Sequence, residues 1–189
     1  MKTAKLCFLA VLVASFVPAS ATAQITGITF SGPGGTGFDG GTAGNLTEPV
    51  LIYSAVNFID VSITVGSAGV YNVNEAPSLG RIENLTGQGW SAFELVNLTP
   101  GLGSFDNSWS YYTSPFTSLV NTATLVEASG GAGVPSGSGM SMFGNYVTSG
   151  PGTFVLRETP ISVPEPSSVI LAAVGCIGLI GLGWRRRQR

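Results

Sequence analysis

The strongest constraint on the fold is the alternation of apolar and polar side chains between residues 59 and 65. From Ile59 to Val65, every second residue is β-branched and apolar, and each residue between them is polar. An extended strand places these two sets on opposite faces, one toward a core and one toward solvent. No comparable amphipathic helix pattern is found between residues 24 and 162.

Further alternating or apolar runs recur along the chain and are separated by turn-forming residues. The predicted strands are 25–31, 50–56, 58–65, 69–73, 80–85, 91–98, 118–126, 140–148 and 152–158. The predicted turns are 32–44, 66–69, 86–89, 99–103, 130–139 and 149–152. Short strands at this spacing predict an all-β fold, an antiparallel β-sandwich ectodomain over residues 24–160, which is long enough for one core.

The first 23 residues have the features of a secretory signal peptide. Two lysines precede an apolar run over 6–17, and Ala21 and Ala23 end two small-x-small sequences. We therefore predict a signal peptide over 1–23, with cleavage after Ala23. An uncleaved N-terminal anchor is the alternative.

The chain ends in an apolar segment followed by a basic cluster. Residues 169–184 carry no charge, and as a helix they would rise about 24 Å against roughly 30 Å of membrane hydrocarbon. We predict a single C-terminal hydrophobic transmembrane helix over 168–184. A membrane stop on the cytoplasmic side would be formed by Arg185, Arg186, Arg187 and Arg189. A buried core helix is the alternative, although an arginine cluster does not usually follow one.

A proline-containing tag precedes the apolar segment and consists of Val163, Pro164, Glu165 and Pro166. Each proline fixes its own φ and favours extended backbone in the residue before it, so the tag is a stiff strip that a membrane-embedded protease can read. The tag, the short apolar segment and the terminal arginines, in this order, resemble the PEP-CTERM sorting signal.

This resemblance implies a sorting domain over 161–189 that is recognised by exosortase through Pro164, Glu165 and Pro166. It implies cleavage near the tag, so that the hydrophobic helix would hold the chain in the membrane only transiently. The family is found in Gram-negative bacteria that make exopolysaccharide, which makes exopolysaccharide a further expected partner.

A second stretch resembles the ectodomains of PEP-CTERM proteins. Asn84, the Thr86-Gly87 pair, Trp90 and Phe93 follow one another as they do in many of these ectodomains, and residues 152–156 are similar to their last strand. The resemblance implies a β-rich surface domain and carries no catalytic residues with it.

Charge and composition narrow the possible partners and chemistry. Residues 24–162 carry nine acidic and two basic side chains, for a net charge of −7, which disfavours nucleic acid as a partner. Both cysteines fall in the two predicted signals, and the chain has no histidine. A disulfide, a thiol nucleophile and a histidine-based catalytic or metal site are therefore excluded from the ectodomain.

Paired carboxylates are the remaining route to catalysis. Two acidic side chains can hydrolyse glycosides, and the candidates here are Glu75, Glu83, Glu94, Asp106 and Glu127. No spacing selects one pair among them, so we predict no enzyme, no catalytic residue and no cofactor. An acid-pair glycoside hydrolase remains an alternative.

The aromatic segment at 109–112 is the best candidate for a ligand face. Trp109, Tyr111 and Tyr112 follow polar residues of an apparent loop, and aromatic rings beside amides suit sugar recognition. Packing in the core is the alternative role for Trp109, and it is the role that we favour for Trp90.

Three further patterns resemble known binding or modification sites. The glycines at 35, 37 and 40 match a dinucleotide fingerprint, but glycine and proline interrupt the place where its helix must begin, so we predict a loop. Calcium at Asp39 stays open, and no metal site is assigned. Asn45, Asn84 and Asn97 each begin an Asn-Leu-Thr sequence that fits the N-glycosylation acceptor pattern.

Together these features predict a protein exported through its signal peptide, passing through an inner-membrane intermediate to the cell surface or extracellular matrix. Its expected role is structural, in association with exopolysaccharide or biofilm. A carbohydrate- or Ca²⁺-dependent binding module is the alternative.

Overall fold

The computed structural model describes residues 23–75, 81–113, 116–162 and 176–177. The predicted signal peptide up to residue 22, the tag at 163–166 and the arginine cluster lie outside the described residues, as does the predicted transmembrane helix except Cys176 and Ile177. In the part of the chain that is described, no helix has the length and apolar character needed to cross a membrane.

The described residues form thirteen strands. These are β1 Ile25–Ser31, β2 Gly35–Ala43, β3 Leu46–Tyr53, β4 Ile59–Val65, β5 Gly69–Asn74, β6 Ile82–Asn84, β7 Trp90–Asn97, β8 Gly103–Phe105, β9 Ser110–Thr113, β10 Ser118–Asn121, β11 Leu125–Val134, β12 Gly139–Thr148 and β13 Gly152–Ser162.

The strands build two sheets that enclose one core. The first has the order β1-β4-β13-β7-β11-β10, and the second has the order β2-β3-β5-β12-β6, with β8 and β9 also paired to β12. All pairings are antiparallel except the short β3–β5 and β3–β6 contacts, which are parallel. The predicted all-β, mostly antiparallel and sandwich-like architecture is confirmed.

Several predicted turns contain strands instead. Residues 35–43, within the predicted turn 32–44, form β2, because their backbone pairs with β3 even though glycines leave little side chain to reveal the pattern. Residues 130–134 continue β11 rather than opening a loop.

The predicted strand 118–126 is two strands, β10 and β11, which pair with each other across a tight turn.

Inward-facing aromatic side chains fill much of the space between the sheets. Tyr53 meets Trp90 edge-on, with ring centroids 5.3 Å apart, and Tyr146 stacks on Phe154 at 4.1 Å. Trp90 is almost fully buried, which confirms its predicted core role. Such contacts join the two sheets and favour one packing arrangement.

The last strand runs through the middle of the first sheet. β13 pairs with β4 from Gly152 to Glu158 and with β7 from Leu156 to Ser162. We call the end of the sandwich that carries Ser162 the exit end, and the end that carries Gly152 the distal end. Ile25, at the start of β1, pairs with Val65 at the distal end, so the two termini of the sandwich lie at opposite ends.

Candidate functional site

Trp109 lies in the core. Its side chain is 3% exposed, its ring meets Phe105 edge-on at 5.2 Å, and its Nε1 donates a hydrogen bond of 3.0 Å to the carbonyl of Asn145. Tyr111 is half-buried against the same core. Trp109 directly precedes strand β9, and Tyr111 lies within it, in a segment that had the composition of a loop. The side chain of Tyr112 lies outside the described residues.

This placement decides between the two roles that the sequence left open for Trp109. A ring that recognises a sugar must offer one face to solvent, whereas the Trp109 ring is covered by Phe105 and by the backbone of Gly144. Packing is therefore the role that the structure favours for Trp109.

The polar residues beside Trp109 bond to one another. Asp106 accepts hydrogen bonds from the backbone N–H and hydroxyl of Ser108 and from Nδ2 of Asn145, and Asn145 accepts one from Asn72. Partial burial raises the pKa of Asp106, but the hydrogen bonds from Ser108 and Asn145 outweigh it, so the net shift is downward. The carboxylate of Asp106 thus stabilises the turn before β9.

The candidate acids occupy different parts of the molecule. Glu83 forms an ion pair with Arg81, and Asp106 belongs to the turn just described. Glu94 and Glu127 are directly opposite each other on β7 and β11, on the outer face of the first sheet. Two like charges in this position usually destabilise a sheet slightly.

Glu75 forms a buried carboxyl pair with Glu158, a residue that was not among the acids predicted from the sequence. Both side chains are 0% exposed. Glu75 follows β5 in the second sheet and Glu158 lies in β13 of the first, so their carboxyl groups approach each other across the core. Among the residues that the structure describes, no other side chain or backbone group donates to any of the four oxygens.

The pair holds protons that ordinary glutamates release. Burial raises the pKa of Glu158 to about 8, with a smaller opposing effect from a hydrogen bond with Glu75. Burial also raises the pKa of Glu75, and the charge of Glu158 raises it further. At neutral pH the pair is protonated in part and does not carry two full charges.

This chemistry does not make a hydrolytic site. A glycosidase pair must contact its substrate on both sides of the scissile bond. Glu75 and Glu158 have no exposed surface, so no sugar reaches them in this structure. The sequence pattern does indicate that Glu158 is buried, because alternation along β13 places it on the same face as Phe154 and Leu156.

The glycine pattern and Asp39 belong to β2. Its glycines lie in a strand that pairs with β3, where the sequence predicted a loop, and the element that follows β2 is strand β3. Asp39 accepts hydrogen bonds of 2.9 Å from the N–H of Gly41 and from Thr42 Oγ1 at an irregularity in the strand.

In two of the three Asn-Leu-Thr sequences, the asparagine side chain is buried and holds the turn after it through hydrogen bonds. We call this arrangement a clamp. Asn84 Oδ1 accepts from the N–H and hydroxyl of Thr86, while its Nδ2 donates to two carbonyls, those of Gln88 and Val134. The hydroxyl of Thr86 also accepts from Nε1 of Trp90. These bonds join Asn84, Thr86 and Trp90 into one buried arrangement at the start of β7.

Asn97 repeats the arrangement at the other end of β7. Its Oδ1 accepts from the N–H and hydroxyl of Thr99 and from the hydroxyl of Tyr146, and its Nδ2 donates to the carbonyl of Gly103. Asn45 is exposed instead and makes a single bond to the carbonyl of Val70. An attached glycan would require the amide nitrogen that Asn84 and Asn97 use inside the fold.

In the sequence, the tag follows directly after Ser162, the last residue of β13 at the exit end. Ser162 pairs with Trp90, and Ser91 Oγ donates to the carbonyl of Ile161 at 3.2 Å. Pairing between β13 and β4 stops at Glu158, opposite Ile59, the first residue of β4. Pro160 therefore has a strand neighbour on one side only, which a residue without a backbone N–H tolerates. The backbone is therefore held as a strand up to the residue before Val163.

Residues 162–187 match the PEP-CTERM protein-sorting motif. A search of curated proteins and a search of solved structures found no match for the chain. The motif, together with the β-rich fold, defines an exported protein that is targeted by exosortase and sorted to the cell surface. Exosortase is accordingly its processing partner.

Proposed function

We propose that this protein is a structural component of the cell surface or extracellular matrix, where its β-sandwich associates with exopolysaccharide and contributes to biofilm. The observation that carries the proposal is the position of the sorting motif. It begins at residue 162, where the last strand ends, so cleavage within the tag would release or transfer the complete described sandwich.

The surface chemistry supports a structural rather than a catalytic role. The carboxyl pair Glu75–Glu158 is sealed in the core, and Trp109 is buried as well. The net charge of −7 over residues 24–162 favours a hydrated surface that interacts through polar contacts. We propose that the protein has no enzymatic activity.

The proposed route begins with export through the signal peptide at 1–23 and cleavage after Ala23. The helix at 168–184 then holds an inner-membrane intermediate, with the arginines at 185–187 and 189 on the cytoplasmic side. Exosortase reads Pro164, Glu165 and Pro166 and removes the helix.

A deletion strain tests the proposed role. We expect loss of the protein to reduce retention of exopolysaccharide and cell flocculation, and the intact gene to restore both. A variant with Pro164→Ala and Pro166→Ala, which leaves residues 24–162 unchanged, should fail to restore them. Normal matrix retention and flocculation in the deletion strain would refute the proposal.

A further inference from the structure

The position of the tag relative to the folded sandwich has a consequence for how the tag is read. β13 is held on its β7 side through Ser162, and the tag starts at the next residue. By covalent geometry, two residues of chain span at most about 7 Å and four span at most about 14 Å. In the sequence, Pro164 is two residues and Pro166 four residues from Ser162, so these lengths are the upper limits for that part of the chain.

These distances are short compared with the size of a protein contact. A standard interface covers about 800 Å² on each partner, which corresponds to a circle of roughly 16 Å radius. An enzyme centred on the tag would thus extend over Ser162 and the loops around it. The absence of a spacer places the exit end inside the enzyme's reach.

The exit end offers an apolar group and a recess for such a contact. Leu85 is 54% exposed, and its N–H donates to the carbonyl of Tyr53, the last residue of β3. A recess of about 240 Å³ beside it is lined by Arg81, Glu83, Leu85, Gly137, Ser138 and Gly139. The clamp of Asn84 on the carbonyl of Val134 fixes Leu85 close to Trp90, the partner of Ser162.

We propose that the exit end, with Leu85 and the adjoining recess, is a docking surface for exosortase while it reads the tag. This inference rests on the proposed sorting route and adds the surface of the folded domain that takes part in it. The occupant is the enzyme rather than the lipid bilayer, because the enzyme must surround the tag, which lies nearest to this surface.

The fold supplies a matched control at the distal end. Leu98 is also the central residue of an Asn-Leu-Thr clamp and is 42% exposed. Leu98 follows β7 directly, and Leu85 precedes β7 by five residues. The eight residues of β7 span roughly 24 Å, so the two leucines lie toward opposite ends of this strand. The two side chains share sequence context and exposure and differ in their distance from the tag.

Photo-crosslinking in the native host tests the proposal. A photoreactive residue at position 85 of the full chain should give an adduct with exosortase, whereas the same residue at position 98 should not. Adducts with the enzyme at both positions, adducts with lipid alone at position 85, or no adduct there would each overturn it.

Processing rates give an independent readout. We expect Leu85→Asp to slow conversion of the precursor about fivefold, the factor that corresponds to roughly 1 kcal/mol of lost contact, and Leu98→Asp to leave it unchanged. Equal rates for the two variants, with equal melting temperatures, would contradict docking at this end.

C-terminal mapping separates this proposal from the sorting route. If the wild-type chain keeps Arg189 in cells that contain exosortase, the route fails and the docking proposal fails with it. If the chain is processed but position 85 behaves like position 98, only the docking proposal fails.

Discussion

Glu75 and Glu158 place two carboxyl groups against each other inside a largely apolar core. Breaking such a pair, or ionising both members, leaves buried charge without compensation. Tyr53 donates a hydrogen bond to the backbone carbonyl of Glu158, and not to its side chain. A shared proton is therefore the main stabilisation that the two carboxyl groups have within the described structure.

This pair predicts that the free energy of unfolding falls as the pH rises. The folded state keeps protons that the unfolded chain releases near 4.5, so stability is lost from about pH 4.5 up to the raised pKa of about 8. The limiting slope is about 1.4 kcal/mol per pH unit for each proton. Urea denaturation across this range measures it.

A double variant with Glu75→Gln and Glu158→Gln should remove most of this pH dependence, because its core does not titrate. Glu94→Gln with Glu127→Gln, on the outer face of the first sheet, is the matched control and should retain it. The same slope in both double variants would show that the buried pair is not its source.

The Asn-Leu-Thr sequences predict different costs for the same substitution. Asn97→Ala removes hydrogen bonds to the buried Tyr146 and to the half-buried Thr99 and Gly103, so we expect a loss of about 2–3 kcal/mol in the free energy of unfolding. Asn45→Ala removes one exposed hydrogen bond and should cost less than about 1 kcal/mol. Chemical denaturation of the two variants compares them, and equal losses would refute the buried clamp at Asn97.

At the scale of strands, β12 accommodates Trp109 because residue 144 has no side chain. A Cβ at Gly144 would lie 2.3 Å from ring atoms of Trp109, whereas one at Gly150 would meet nothing within 4 Å. The absence of a side chain in one strand thus makes room for an aromatic ring that belongs to another segment.

Gly144→Ala should therefore destabilise the fold by about 1–3 kcal/mol and change the tryptophan emission spectrum, because the indole must move. Gly150→Ala should leave both properties nearly unchanged. Denaturation followed by fluorescence measures both effects at once. An unaltered spectrum and stability for Gly144→Ala would place Trp109 elsewhere.

The sequence predicts some strands better than others. A strand is predicted well when it has enough apolar and polar side chains to show the alternation between its buried and exposed faces. β4 and the first part of β13 follow from strict alternation. β2 is masked by its glycines, and β9 is missed because Trp109 and Tyr111 stand beside polar turn residues. The residues of the candidate sites depend on pairing across the sandwich, so the partnership of Glu75 with Glu158 cannot be read from local pattern.

At the scale of the whole molecule, the last strand of the sandwich leads directly into the sorting motif along the sequence. β13 lies between β4 and β7 in the first sheet, and the sorting motif begins at its last residue. Removal of the tail would therefore leave the described strands complete. The first strand of the described sandwich begins at the distal end, since Ile25 and Gly152 both pair with Val65.

The most direct measurement is the intact mass and C-terminal peptide of the protein from its native host, in membrane and medium fractions. We expect a chain that ends near Pro164–Pro166, and a full-length C-terminus when exosortase is deleted. A chain that ends at Arg189 in the membrane of wild-type cells would contradict the sorting route and make the C-terminal segment a permanent anchor.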